Sequence, residues 1–185
     1  MIEKYGDIIA IMGFAVFSIF TFIAIFLTPG FNIATQYFSE LGVSGLSAVF
    51  FNSGLILFGI LLIPFYMKLR YDLGNSKLMK TTLILGIASC FALMGIGLFP
   101  LTQRIMHNFF NYTFFSLLTV VIFLTSAIMI SKKQMFHGLV GFVVIFFNTV
   151  FAFIINETAL QKFSIFTLEL WVLTVIFYLM LERSS

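Results

Sequence analysis

The sequence predicts an all-α protein, a polytopic bundle of six transmembrane helices with a structured loop between the first two. Three observations predict it. Six stretches are long and oily enough to cross a bilayer, since roughly 20 residues at about 1.5 Å each span a hydrocarbon core of about 30 Å. Mean hydropathy is +1.13 and 9% of residues are charged, too little polarity for a water-soluble surface. Almost nothing lies between the stretches, so the 185 residues hold a single transmembrane domain.

Taken in order, the first span is residues 7–27. Its apolar run is too long for a signal-peptide core and no A-x-A cleavage pattern follows, so it reads as a permanent helix. Pro29-Gly30 stops it. Residues 28–47 form the longest connection, with Glu40 its one charge. Asn32 or Thr35 is the expected cap of a short helix there, ending near Leu41 with Gly42 just past it. That segment is expected at the membrane surface or folded back into the bundle. The second span is 48–67, followed by a basic connection, 68–80, with turn chemistry at Asp72, Gly74, Asn75 and Ser76. Spans three to six are 81–101, 109–130, 138–156 and 164–181, joined by the short segments 102–108, 131–137 and 157–163.

Charge sets the expected orientation. With the N-terminus cytoplasmic, the inner side carries Lys4, Lys68, Arg70, Lys77, Lys80, Lys132, Lys133 and Arg183, and the outer side Arg104 and Lys162. Eight against two is a firm positive-inside bias, so both termini are expected in the cytoplasm, with the protein in the cell membrane. The net charge of +3 is therefore a topology signal and gives no reason to expect a nucleic-acid partner. Membrane lipids, and other membrane protein subunits, are the expected partners. Cys90 is the one cysteine and can form no intrachain disulfide.

Small residues predict where helices approach. Gly6, Ala10 and Gly13 share a face of span one; Gly86, Cys90 and Gly97 do so on span three; Gly138, Gly141, Asn148 and Ala152 do so on span five. Asn148 reads as an interhelical hydrogen bonder. The 27 phenylalanines are spread over all spans, as lipid contact and core filling require.

The unusual polarity collects in the outer half. Asn52 lies near the outer end of span two. His107 and Asn111, four apart, share a face at the outer end of span four, with Arg104 one turn before. Glu169 lies within span six, two turns beyond Lys162. Ionisable groups inside a span are costly and by default functional, so Glu169 is the strongest candidate, with Arg104 or His107 its expected partner. Glu40 is expected to cap a helix or to pair with Arg104. Candidate ligand-binding residues are thus Glu40, Asn52, Arg104, His107, Asn111 and Glu169.

Several chemistries find no support. His107 and His137 lie on opposite sides of the predicted membrane and cannot share a metal or haem. The chain has no HExxH, CxxC, G-x-S-x-G or Walker loop. No catalytic residue, metal or cofactor is assigned, although a Glu-His pair with Ser39 or Ser44 stays open.

Four local features occur in order: Tyr37-Phe38-Ser39-Glu40-Leu41-Gly42; Phe51-Asn52-Ser53-Gly54-Leu55 followed by Gly59; Gly95-Ile96-Gly97-Leu98-Phe99-Pro100; and His107. Together they resemble the membrane family known as domain of unknown function 998, and the chain is more distantly similar to the Frag/DRAM/Sfk group of six-span proteins. The resemblance implies six spans and an outward-facing cluster at Glu40, Asn52 and His107, which Arg104 joins by topology alone, and it brings no established reaction. Three functional readings follow. One is a site for a lipid head group or small polar ligand at the outer cluster. The others are an accessory subunit of a larger membrane complex and an intramembrane lipid-modifying enzyme.

Overall fold

The computed structural model describes residues 2–184, and the side chains of residues 5–181. The side chains of Lys4 and Arg183, both counted in the charge bias, lie outside those described. The described residues form six α-helices: α1 (Ile2–Phe26), α2 (Gly45–Leu73), α3 (Lys77–Leu98), α4 (Arg104–Ser131), α5 (Met135–Phe151) and α6 (Glu157–Ser184). Five of them, all but α5, are long and apolar enough to cross a membrane. Each helix packs on the next, and α6 returns to α1, so the six close into a ring in sequence order.

Helix ends differ from the hydropathy boundaries for local reasons. The connection expected at 68–80 shrinks to residues 74–76. Lys68 is buried and pairs with Asp72 one turn on, which carries α2 through the polar stretch. Gly74 then stops it at φ +97°, and Ser76 caps α3 by accepting from the Met79 amide at 3.1 Å. At the other end of the molecule α5 stops at Phe151, not at 156, and α6 starts at Glu157, not at 164. Asn156 is the reason: its Oδ1 accepts from the Ala159 amide at 2.8 Å and so caps α6 rather than ending α5. Arg104 and His107, expected in a loop, lie on the first two turns of α4.

The small-residue faces are where backbones meet. A Cβ on Gly6 would strike the Pro64 carbonyl of α2; on Gly97 it would lie 2.6 Å from the Asn52 carbonyl; on Gly138, 2.8 Å from the Ser126 carbonyl of α4. Ala152 does not belong to its expected face, because it falls past the end of α5 and is exposed. Asn148 donates to Thr167 Oγ1 at 2.8 Å and joins α5 to α6.

The long loop folds back onto the bundle. A 3₁₀ turn, Phe38–Gly42, buries Ser39 and Leu41. Its N-cap is Tyr37, not Asn32 or Thr35; Asn32 instead turns the chain earlier by accepting from the Ala34 amide at 2.9 Å.

Candidate functional site

Inside the ring lies a narrow cavity, with about 80 Å³ open to the centre of a water-sized sphere. Its walls are aromatic and aliphatic: Phe14 and Phe17 of α1, Phe51, Leu55, Phe58 and Leu62 of α2, Leu93 and Ile96 of α3, Phe114 and Leu118 of α4, and Ile165 and Val172 of α6. The Phe17 and Phe58 rings stack at 5.3 Å. No residue of α5 lines it. Taking about 1.5 Å per residue down α4 and α2, the cavity runs from His107, about 5 Å below the loop end, to Tyr66, about 30 Å below it.

Its few polar groups are unevenly placed. Ser39, His107, Asn111, Gln161 and Glu169 all line it, and Tyr66 marks the far end. On α4 the lining sequence is His107, Asn111, Phe114, Phe115, Leu118; on α6 it is Gln161, Ile165, Leu168, Glu169, Val172. Both are single helical stripes at three- and four-residue spacing. The site is thus an ordinary core-facing stripe carrying polar residues at four positions.

His107 is 4% exposed, and its Nδ1 lies 2.9 Å from the Phe99 carbonyl. That carbonyl precedes Pro100, where α3 has ended, so it has no helical donor, and the imidazole supplies one. A carbonyl only accepts, which puts the neutral ring's proton on Nδ1 and leaves Nε2 an acceptor. Gln161 accepts from the Phe38 amide through Oε1 at 3.1 Å, leaving its NH₂ group to donate elsewhere. Glu169 is half-buried, and among the described residues no hydrogen bond or ion pair holds it. Its expected partners do not reach it: Arg104 is exposed and His107 bonds to Phe99.

The other two candidates have different work. The Glu40 carboxylate accepts from the Tyr37 amide at 2.9 Å and from Gln36 Nε2 at 2.8 Å, closing the 3₁₀ turn on itself. It makes the cap expected of it and no pair with Arg104. Asn52 Nδ2 donates to the Gly42 carbonyl at 3.1 Å and staples that turn to α2. A Cβ on Gly42 would collide with the Asn52 side chain, so the glycine is what allows the staple. The expected cluster therefore separates into a cavity group (His107, Asn111, Glu169) and a loop group (Glu40, Asn52), with Arg104 apart on the surface.

Sequence reasoning raised Ser39 only as an open partner for a Glu-His pair and missed Gln161 as a lining residue. Gln161 was assigned to a connection, whereas the apolar repeat at 165, 168 and 172, extended back one turn, would have found it. The strap over the cavity is also tied to α6 by Tyr37, whose hydroxyl donates to Glu157 at 2.9 Å. Burial, and then the neighbouring Glu157 carboxylate, raise the Tyr37 pKa above its usual range.

A second opening lies among α4, α5 and α6, with about 490 Å³ by the same measure. It shares Asn111, Phe115, Gln161 and Leu168 with the central cavity, so these four form a common wall. Among the described residues no three metal-ligating side chains converge.

No curated protein and no solved structure matches the chain. The family model described as protein of unknown function (DUF998) matches residues 11–181, nearly the whole bundle with its loop and cavity, and this multi-pass membrane protein belongs to that family.

Proposed function

We propose that the protein binds a small membrane amphiphile, with its apolar part in the central cavity and its polar part among His107, Asn111, Gln161 and Glu169. One observation carries this reading: an apolar slot lined by five helices bears four polar side chains on α4 and α6, from the loop end down to about mid-depth. Such a combination, a mostly apolar pocket with a few convergent polar groups, is the usual form of a ligand site. The cleft beside it supports the reading, since it shares Asn111, Phe115, Gln161 and Leu168 with the slot and so offers a side approach to it. By the positive-inside bias the loop end faces away from the cytoplasm, across the cell membrane. The accessory-subunit reading has less behind it: the exposed apolar side chains lie on all sides, as lipid contact alone requires. An enzyme reading would use His107 Nε2 as base with Ser39 and Glu169, which line the same slot, but no hydrogen bond joins these three side chains.

The test is native mass spectrometry of the protein released from lipid nanodiscs. One retained amphiphile per chain is expected, and Leu55→Phe, which fills the slot, should remove it while leaving the melting temperature nearly unchanged. Equal retention by the filled variant would overturn the assignment.

A further inference from the structure

We infer that the ligand is a single-chain lipid whose head is a hydrogen-bond donor, an amine or amino alcohol, and not a phosphate. This rests on the cavity reading above and adds the chemistry of the occupant. The width of the slot sets the chain number. About 80 Å³ open to a water-sized sphere, taken over a depth of about 25 Å, averages to room for one hydrocarbon chain. That volume alone does not hold both tails of a phospholipid.

The donor and acceptor pattern sets the head. His107 spends Nδ1 on the Phe99 carbonyl, so in its neutral form it offers the cavity an acceptor. Glu169 lines the slot, and among the described residues no group satisfies its carboxylate. Neither lysine nor arginine lines the slot. A phosphate there would meet a carboxylate, with no fixed cation to offset its removal from water. An ammonium or hydroxyl head meets an acceptor at either level, His107 near the loop end or Glu169 deeper, and the amides of Asn111 and Gln161 can serve its remaining groups. The polar side chains are also staggered. Counting about 1.5 Å per residue, Gln161 lies about 6 Å down α6 and Glu169 about 18 Å down. An unpaired carboxylate within a membrane is costly, and a cationic ligand removes that cost.

The experiment is a titration in phosphatidylcholine nanodiscs, read by native mass spectrometry against empty discs. The probes are hexadecylamine, hexadecanol and hexadecyl phosphate, with chain-free ethanolamine as a fourth. Hexadecylamine should bind at least tenfold more tightly than hexadecyl phosphate, with hexadecanol between them and ethanolamine silent. Glu169→Gln should weaken hexadecylamine about tenfold and leave hexadecanol within twofold, which also reports that the variant is folded. Phosphate binding equal to or tighter than amine binding overturns the inference and leaves the cavity reading standing. So does an amine preference that survives Glu169→Gln. Tight ethanolamine binding overturns the single-chain assignment. Failure of all three chain probes overturns the cavity reading itself, and the inference with it.

Discussion

Two sets of polar side chains lie toward the same end of this bundle, and they differ in what they have left to offer. In the loop set, Glu40 uses both carboxylate oxygens on Tyr37 and Gln36, and Asn52 reaches the Gly42 carbonyl. In the cavity set, His107 keeps one ring nitrogen open, Asn111 faces two openings, and Glu169 is held by none of the described residues. Polar groups that close on one another hold a fold together. Polar groups left open in an apolar slot cost stability, and that cost makes sense where a ligand takes it over.

Substitutions can break that contrast, and the largest effects should fall on the loop set. Gly42→Leu would drive a side chain into Asn52 and Phe51. Its expected cost is about 3 kcal/mol, from overpacking. Trp171, the one tryptophan and fully buried, reports unfolding by fluorescence in detergent. Asn52→Leu leaves the Gly42 carbonyl without its donor and should cost about 2 kcal/mol. Limited proteolysis should then cut within residues 28–44, which the parent protein resists. Glu40→Ala removes the turn's own cap, for about 1 kcal/mol, read as faster hydrogen exchange at the Tyr37 amide. Tyr37→Phe loses one half-exposed bond to Glu157, for about 0.5 kcal/mol in the same fluorescence melt. The smallest change belongs to the cavity set. Glu169→Gln should move stability by less than about 0.5 kcal/mol, or raise it, because no protein partner is lost. A loss of about 2 kcal/mol there would show that Glu169 is structural and end the contrast.

Much of this was legible in the chain, and the reasons are specific. The helix order follows from hydropathy, because a backbone in lipid must satisfy its hydrogen bonds within each segment. The contacts at Gly6, Gly97 and Gly138 follow from small-residue spacing, since only small side chains let backbones approach. The bond from Asn148 across to Thr167 was legible for a related reason: an amide inside a span looks for a partner. The helix ends were harder. A buried Lys68–Asp72 pair reads in sequence as a polar loop, and an Asn156 that caps α6 reads as the end of the span before it.

The one-sided collection of polar residues was also legible, but its division was not. Glu40, Asn52, His107 and Glu169 are the same kinds of residue at similar expected depth. Which of them meet each other depends on side-chain directions several elements away: where the 3₁₀ turn lands, which face of α6 turns inward, and which carbonyl Pro100 leaves free. By itself the sequence determined a membrane bundle, its helix order and its close contacts, because solvent and steric bulk act residue by residue. Only the tertiary structure decided that two polar groups close the loop while others stay open to a slot, because satisfaction of a polar atom depends on its partner and not on its own chemistry.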